Sequence, residues 1–452
     1  MERLCWNMRA SGCAAAVAIL VGCGGAKMLA SGAGGAMATY ARDRHEPSGT
    51  VNWAQTYHDG GHTGYNSKET TLTTGNVGSL QLLWAASVSG GVTGFALSSG
   101  AIYAQGEGGS QGANLVRLNA ATGAVKWTIT TGNDGYYESG TVIAAQGMVF
   151  AGCSANLTSQ EQGICAYKAS TGAMVWSFYD NCGCLPPASV TAPASYANGN
   201  IYFGFAGGSS NPPILRAVNA TSGAQLWTYG GGGLGIGIGA PAIAGNYVYI
   251  ACGEGTSDYV CALNASNGTL AWSTQVGNQP NIAISVSGST VYASTDYNGT
   301  NSTVAALNAT TGAVKWTFTY LPGSGGGLSD QPPAVAKGVV FVSGTNGTLY
   351  ALRASNGHQL WSYSGVGGDS GDFVRSAPAV ANGVVYVDGA STTDANTTAH
   401  DAATGALLWS SPDTHGTIYP VPAVANGILY FGTPGGTCGS ICAYSLGGAR
   451  SR

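Results

Sequence analysis

Charge is what this sequence has least of. Only 8% of its 452 residues are Asp, Glu, Lys or Arg, whereas an average soluble domain has roughly 25%. So little charge excludes a coiled coil or a protein of long surface helices. The net charge of -4 leaves no basic surface for nucleic acid, so no nucleic-acid partner is expected. Disorder is excluded as well, because 44% of the residues are hydrophobic.

Glycine, in contrast, is abundant. The chain has 73 glycines, about twice the usual fraction of roughly 7%. They follow no Gly-X-Y period, which excludes a collagen triple helix. Together with the many Ala, Ser, Thr and Asn residues, they favour short strands joined by tight turns.

Long hydrophobic runs are missing too. The apolar run 14–22 follows Arg3 and Arg9 and is too short to span a bilayer. It therefore predicts a signal peptide at 1–22. The sequence Leu20-Val-Gly-Cys23 resembles a bacterial lipobox, which implies a lipid on Cys23 and a flexible tether at 23–50. An ordinary secretory signal stays open. Either way, we expect an extracytoplasmic protein of the cell envelope, bound to the membrane if it is lipidated.

Cysteine use agrees with an oxidising compartment. Of 11 cysteines, Cys5 and Cys13 would leave with the signal and Cys23 would carry the lipid, so eight remain. An even number allows four disulfides. Three pairs flank predicted hairpin loops, and the fourth is a closely spaced pair that is either a bridge or redox-labile. The pairs are Cys153/Cys165, Cys252/Cys261, Cys438/Cys442 and Cys182/Cys184.

A repeat of 43 to 51 residues dominates the chain. It is marked by a tryptophan, with a glycine four residues before it in seven units and an alanine ten before it in six. We expect each tryptophan to pack against a neighbouring unit, where it buries a large apolar area. The repeated tryptophans are Trp84, Trp127, Trp176, Trp227, Trp272, Trp316, Trp361 and Trp409.

The period is typical of propeller blades of four strands. The last unit stops after three strands, and residues 80–88 form a single strand with nothing before it. Pairing the two would leave no exposed edge. The sequence thus predicts an all-β fold: an eight-bladed β-propeller of four-stranded antiparallel blades, closed by an N-terminal strand. It spans 80–446, preceded by a leader at 51–79 that packs on it and followed by a tail at 447–452.

The motif Ala-x-Asp-x-x-Thr-Gly-x-x-x-Trp resembles the docking motif of pyrroloquinoline quinone (PQQ) repeat propellers and covers residues 80–446. That family includes PQQ-dependent alcohol dehydrogenases and non-catalytic lipoproteins such as the PQQ-like outer-membrane assembly factor. The leader around Trp53, His58, Asp59, His62 and Tyr65 looks like the start of the dehydrogenases. The His58, Asp59 and His62 spacing could also bind a metal, although capping of the barrel is the preferred interpretation.

The dehydrogenase resemblance implies a quinone stacked on a tryptophan and covered by a disulfide between adjacent cysteines. Here the tryptophans are already assigned to blades, leader and signal, and Cys182 and Cys184 are not adjacent. PQQ also carries three carboxylates, which favour basic partners. PQQ and Ca²⁺ therefore remain open as cofactors, but neither is firmly predicted.

The few charges are unevenly placed. Fourteen acids, among them Asp258 and Asp388, fall in loops that should share one face, against Arg375 as its only clear base. Such a face would attract Ca²⁺ or a basic protein surface; alternatively, the acids simply solvate it. The candidate ligand or cation site comprises Asp134, Glu138, Asp330, Asp369, Asp372, Arg375, Asp413 and His415.

Three functions follow as hypotheses. The first is a lipid-anchored, non-catalytic propeller that acts as a binding or assembly platform. The second is a PQQ- and Ca²⁺-dependent alcohol dehydrogenase, and the third is a propeller that binds a cation or a small ligand. One propeller hosts many activities, so whether the chain is an enzyme is left open by the sequence.

Overall fold

Short antiparallel strands make up most of the described chain. The computed structural model describes residues 52–89, 91–106, 113–132, 140–155, 162–179, 189–190, 192–206, 214–230, 235–236, 239–253, 258–277, 282–295, 302–320, 331–344, 347–366, 373–374, 376–390, 396–411, 421–436 and 439–447. Across these ranges, the only helix is a 3-10 turn at Val77–Ser79. No helix among them is long and apolar enough to cross a membrane.

The described strands form eight sheets. In chain order the strands are β1 (Tyr65–Asn66), β2 (Leu80–Ala86), β3 (Val92–Ser98), β4 (Ala101–Gly106), β5 (Ala113–Asn119), β6 (Val125–Gly132), β7 (Val142–Ala145), β8 (Met148–Ser154), β9 (Gln162–Lys168), β10 (Met174–Tyr179), β11 (Ser189–Val190), β12 (Ser195–Ala197), β13 (Asn200–Ala206), β14 (Ile214–Asn219), β15 (Gln225–Tyr229), β16 (Gly235–Ile236), β17 (Ala242–Ala244), β18 (Tyr247–Gly253), β19 (Asp258–Asn264), β20 (Leu270–Gly277), β21 (Ile282–Ser287), β22 (Thr290–Thr295), β23 (Ser302–Asn308), β24 (Val314–Tyr320), β25 (Ala334–Ala336), β26 (Val339–Ser343), β27 (Thr348–Arg353), β28 (Gln359–Ser364), β29 (Phe373–Val374), β30 (Ala379–Ala381), β31 (Val384–Ala390), β32 (Thr397–Asp401), β33 (Leu407–Ser410), β34 (Ala423–Ala425), β35 (Ile428–Gly436) and β36 (Gly439–Leu446).

Each sheet is one blade, and the predicted eight-bladed propeller is confirmed. Consecutive strands of a blade pair antiparallel from an inner strand to an outer one, as in the order β21-β22-β23-β24 of blade 5. The inner strands β3, β7, β12, β17, β21, β25, β30 and β34 contact their successors in turn, and β3 contacts β35 of blade 8, which closes the ring. Two-residue strands β11, β16 and β29 extend blades 3, 4 and 7 beside their second strands.

The ring is closed by a strand from the N-terminal side, as the sequence predicts. Strand β2 pairs antiparallel with β36 and becomes the outer strand of blade 8. Trp84 lies opposite Ala443 in that pair, just as Trp316 lies opposite Ala306 within blade 5. Strands from both ends of the propeller thus share one sheet, and no blade of the described chain is left with three strands.

Each repeated tryptophan from Trp84 to Trp361 joins its blade to the next. Its indole Nε1 donates to an alanine carbonyl in the following blade, for example from Trp227 to Ala265 O at 2.9 Å. The indole also lies on the turn glycine of that blade: a Cβ on Gly268 would be 2.5 Å from Trp227 Cε3. Gly268 has φ +73°, which glycine adopts at little cost. The repeat glycine is therefore required both by the turn and by the neighbouring indole.

Two of the predicted disulfides are present in the described residues. Cys153 is bonded to Cys165 across β8 and β9, and Cys252 is bonded to Cys261 across β18 and β19. Cys442 is also disulfide-bonded, while its predicted partner Cys438 lies outside the described residues. The same is true of Cys182 and Cys184 and of the predicted lipid site Cys23.

Candidate functional site

The propeller has two unlike faces. The turn face carries the tight turns between first and second strands and between third and fourth strands, such as 381–384 and 119–124. The loop face carries the connections between second and third strands and between blades. Most of these connections lie outside the described residues, whereas the turns of the other face are described throughout.

The predicted ligand or cation site falls on undescribed parts of the loop face. Asp134, Glu138, Asp330, Asp369, Asp372, Arg375, Asp413 and His415 all lie outside the described residues, so their convergence stays a prediction. Two other acids from the predicted acidic face are described. Asp258 is the first residue of β19 and Asp388 lies near the end of β31, both on the loop-face side.

The leader does more than pack on the ring. Residues 53–66, here called the hub segment, contact the inner strand of every blade in chain order. The inner-strand residue that contacts the hub segment has the same position in every blade. It pairs with the residue that directly precedes the buried aromatic residue of the second strand. The inner-strand partners are Leu97, Ala144, Tyr196, Ile243, Val286, Val335, Val380 and Val424.

Most of these contacts are backbone hydrogen bonds. The amides of Ile243, Val286 and Val380 donate to carbonyls of the hub segment at 2.6, 2.7 and 2.7 Å. Blades 3 and 8 are reached by side chains instead: Gln55 bonds the main chain of Tyr196 in both directions, and Asn66 Nδ2 donates to Val424 O at 2.7 Å. The hub segment therefore provides a hydrogen-bond partner for at least one main-chain group of the inner strand in every blade.

The glycines of the hub segment are needed for this close approach. A Cβ on Gly60 would lie 2.8 Å from Tyr196 O, and one on Gly61 would lie 2.7 Å from Val286 O. Both distances are shorter than a carbon–oxygen contact tolerates. The pair of adjacent glycines thus lets the main chain pass between blades 3, 4 and 5.

His62 connects two blades rather than binding a metal. Its Nδ1 bonds Ile284 O in blade 5 at 3.0 Å, and its Nε2 bonds Ser195 Oγ in blade 3 at 2.7 Å. Burial lowers the pKa of His62 to about 4, so the ring is neutral at pH 7. The neutral ring donates from Nδ1 and accepts from Ser195 at Nε2. Both nitrogens are therefore used by the protein, and no cluster of His, Cys, Asp and Glu suited to a metal occurs in the described part of the chain.

Asp59 fixes the turn before His62. Its carboxylate accepts from Thr63 N at 3.0 Å and from Thr63 Oγ1 at 2.5 Å, and it contacts His58 Nδ1 at 3.4 Å. Burial alone raises the pKa of Asp59, but the bonds with His58 and Thr63 outweigh it and hold that pKa below its ordinary value. The polar leader motif is thereby accounted for by local structure.

Beyond the hub segment, the leader crosses the turn face of blades 7 and 8. Buried Glu69 accepts from the amides of Thr71 and Leu72 with one oxygen and from Gly427 N with the other, the last at 2.9 Å. Asn382 of blade 7 donates to the carbonyls of Thr70 and Leu72. These bonds guide the chain outward to β2.

Every tryptophan of the described chain is committed to the fold. Seven of the eight repeated indoles donate to the next blade, and Trp409 packs edge-on against Tyr444 with ring centres 5.1 Å apart. Trp53 is fully buried in the hub segment and pairs with Leu97. The described residues thus offer no tryptophan on which a quinone could stack, so they do not fit PQQ in the manner that the resemblance implies.

Asp388 is the exceptional acid of the described chain. It is 1% exposed, and neither carboxylate oxygen has a hydrogen-bond partner. Burial raises its pKa to about 7; the Thr397 hydroxyl opposes part of this rise, although its geometry does not complete a hydrogen bond. The sequence places Asp388 on the acidic face but gives no sign of its burial. The other seven blades carry neutral residues at the matching position of the second strand, and this difference is the sequence signal that could have distinguished Asp388.

Comparisons with known proteins agree on the fold. A family model described as "Outer membrane protein assembly factor BamB" matches residues 40–210, 213–363 and 300–446. Among curated proteins, no sequence matches the chain. Solved structures are similar at low identity, and that similarity shows the fold alone.

Three solved structures illustrate the range. The quinohemoprotein alcohol dehydrogenase ADHIIG of Pseudomonas putida HK5 is 16% identical with TM-score 0.64, over 89% of this chain and 81% of that one. The quinohemoprotein alcohol dehydrogenase of Comamonas testosteroni is 15% identical with TM-score 0.65 over the same shares. BamB of Moraxella catarrhalis is 17% identical with TM-score 0.56, over 82% of this chain and 99% of that one.

The buried neutral state of His62 predicts a pH-dependent loss of stability. Because the pKa falls from 6.5 unfolded to about 4 folded, the stability contributed by His62 is complete above pH 6.5 and is lost as the pH falls through 4. This linkage is worth up to about 3 kcal/mol. In urea unfolding, the difference in free energy of unfolding between wild type and His62→Gln should therefore become smaller between pH 7.5 and pH 4. The exposed His358→Gln is the control and should follow wild type at both pH values. A gap for His62→Gln that stays constant would contradict the interpretation.

Proposed function

Because the chain belongs to the PQQ-repeat propeller family whose model describes the outer membrane protein assembly factor BamB, we propose that it is a lipid-anchored, extracytoplasmic, non-catalytic binding or assembly platform. The proposal gives the propeller a structural role in the cell envelope, with the loop face as its binding surface. The PQQ-dependent alcohol dehydrogenase is the competing function that the experiments must separate from it.

The main support for the proposal is that every described tryptophan packs between blades or in the hub segment. A dehydrogenase of the resembled kind stacks its quinone on a tryptophan, and an indole used between blades or in the hub segment cannot also do this. Trp53 is fully buried, and Trp227 is held by Ala265 and Gly268.

The described chain enters the propeller on its turn face. Asn52, the first described residue, accepts through its side-chain oxygen from Ser99 N at 3.1 Å, and Ser99 lies in a tight turn between β3 and β4 of blade 1. The loop face lies on the opposite side of the propeller from this entry point. The acids predicted on that face favour a protein partner with a basic surface.

The disulfides support a location outside the cytoplasm. Cys153–Cys165 and Cys252–Cys261 each close a hairpin of the propeller, and such bonds persist in oxidising compartments. They agree with the signal peptide predicted at 1–22. The envelope location thus rests on residues at both the start and the centre of the chain.

Addition of PQQ and Ca²⁺ to the purified full chain separates the platform from the dehydrogenase. We expect no tight uptake at micromolar PQQ by absorbance and no reduction of an artificial dye with simple alcohols, because the described tryptophans are occupied. A quinoprotein dehydrogenase reconstituted in parallel is the positive control. Tight uptake accompanied by alcohol-dependent dye reduction would refute the non-catalytic proposal.

Substitution of Cys23 tests the anchor. In bacterial cells, Cys23→Ala should move the protein from the membrane fraction to the soluble extracytoplasmic fraction, because the lipid would supply the membrane affinity. Cys13→Ala, within the predicted signal, is the matched control and should leave the protein in the membrane fraction. An unchanged membrane fraction for Cys23→Ala would contradict lipidation at this residue.

A further inference from the structure

Exposed apolar side chains lie at the turn-face end of every blade. Each outer strand begins at the turn face, and its first four residues include at least one large apolar side chain that is 40% to 55% exposed. No other large apolar side chain of the described residues is exposed, so the loop-face end of the described strands has none. A contiguous set of exposed apolar residues marks an interaction surface. The set comprises Leu82, Leu83, Val125, Met174, Val175, Leu226, Leu270, Val314, Leu360 and Leu407.

The same face carries the exposed bases. All six exposed Lys and Arg side chains of the described residues lie in its turns, in the adjoining strand ends or in the leader that crosses it: Lys68, Lys126, Lys168, Lys315, Lys337 and Arg353. Three acids of the hub segment, leader and turns are described beside them. Main-chain amides donate to each of these carboxylates, which belong to Asp59, Glu69 and Asp401. The bases therefore outnumber the acids, and the acids are held by the fold.

Turn chemistry does not account for the bases of blade 6. Lys337 has φ +47° in the turn between the first and second strands, a conformation that glycine and asparagine adopt more readily. The other seven blades have only neutral residues at this position: Ser99, Gln146, Asn198, Gly245, Gly288, Asn382 and Asn426. A lysine is thus not the residue that this turn favours.

Arg353 also replaces a residue that the turn uses. It ends the third strand of blade 6, where blade 5 has Asn308, whose Oδ1 accepts from two amides of the following turn at 2.9 and 3.0 Å. Asn119, Asn219 and Asp401 make the same pair of bonds. The guanidinium of Arg353 has only donors and cannot accept from these amides. Departures from local turn chemistry without a structural gain are expected at functional sites.

Contacts between blades bring the bases together in two groups. In both groups, the lysine before a repeated tryptophan neighbours the base that ends the third strand of the next blade, because the indole donates to the residue after that base, at 3.2 and 2.9 Å. Lys337 joins the second group, since Ala354 N donates to Gly338 O at 2.9 Å. The blade 1–2 bases are Lys126 and Lys168, and the blade 5–6 bases are Lys315, Lys337 and Arg353.

The arrangement of these groups indicates a flat partner. Four blades separate them in a ring of eight, so they lie on opposite sides of the turn face. A partner that contacts both groups and the apolar residues of all eight blades must extend across the whole ring. A bilayer surface does so, and it offers anionic phosphates directly above an apolar layer.

We propose that the turn face binds flat on a bilayer rich in anionic phospholipids. The two groups of bases contact lipid phosphates, and the exposed apolar residues lie at the boundary between headgroups and acyl chains. This surface goes beyond the proposed platform, because it requires neither a lipid on Cys23 nor a partner on the loop face.

Vesicle binding by the full chain tests this surface. Every sample carries Cys23→Ala, so that the predicted lipid contributes nothing. Binding is measured by co-sedimentation with vesicles of phosphatidylcholine alone, or of equal parts phosphatidylcholine and phosphatidylglycerol. The chain with all its bases should bind the anionic vesicles roughly tenfold more tightly or better, and added salt should reduce this preference.

Two double variants each remove one group of bases. Lys337→Asn with Arg353→Asn, and Lys126→Ala with Lys168→Asn, introduce residues that other blades have at the same positions, so their thermal midpoints should stay close to that of the parent chain. Each removed base should weaken binding to anionic vesicles about fivefold, which corresponds to about 1 kcal/mol. Binding to neutral vesicles should not change.

Two controls separate charge from side-chain identity. Lys337→Arg with Arg353→Lys keeps both charges and should bind as the parent chain does. Asp401→Asn removes an acid from the same face and should strengthen binding by a similar factor of about five, while Asn308 shows that asparagine makes the same turn bonds. Equal binding to both kinds of vesicle, weaker binding in only one of the two base-removing variants, or weaker binding in the charge-conserving variant would overturn the proposal.

Discussion

The inner edge of the ring is the constraint on which this propeller depends. Each of the eight blades has an inner strand, and in blade 7 this strand also pairs with β1 of the leader. A buried backbone group on an inner strand is costly unless it finds a partner. Residues 53–66 provide that partner, blade by blade, from Leu97 in blade 1 to Val424 in blade 8. The polar residues of the leader follow from the same requirement: Gly60 and Gly61 allow the close approach, and His62 links blades 3 and 5. A motif that resembles the start of a catalytic family is thereby explained as architecture.

The architecture could be predicted because each blade corresponds to one unit of a sequence repeat. The tryptophan period predicted eight blades, and the incomplete last unit predicted closure by a strand around Trp84; both are confirmed by the pairing of β2 with β36. The physical reason is that seven of the eight repeated indoles contact a turn glycine and donate to an alanine carbonyl of the next blade, at a fixed spacing in the repeat. The path of the hub segment could not be predicted in this way. Its contacts join residues such as His62 and Ile284, which are 222 positions apart, and no period connects them.

The candidate site was only partly accessible from the sequence for a different reason. The positions of the acids in the sequence predict an acidic loop face. Which of these acids is chemically unusual depends on its burial, which the sequence does not show. Asp388 was one of fourteen acids in that ordering, and only its environment shows that its carboxylate is unpartnered. His62 illustrates the reverse case. Its spacing suggested a possible metal ligand, but in the structure both ring nitrogens form hydrogen bonds with other residues of the protein. Comparison of equivalent positions between repeat units still helps to recognise an unusual residue, because it shows which neutral residues the fold accepts at each position.

Native-state hydrogen exchange at the inner strands tests the central role of the hub segment most directly. The amides of Ala144, Ile243, Val286, Val335 and Val380 donate to hub-segment carbonyls. If the segment is an integral part of the ring, these amides should exchange only through global unfolding, with the same free energy as second-strand amides such as that of Val291. Exchange of these amides at a much lower free energy, while the second strands stay protected, would show that the segment detaches from an intact propeller and would contradict the account.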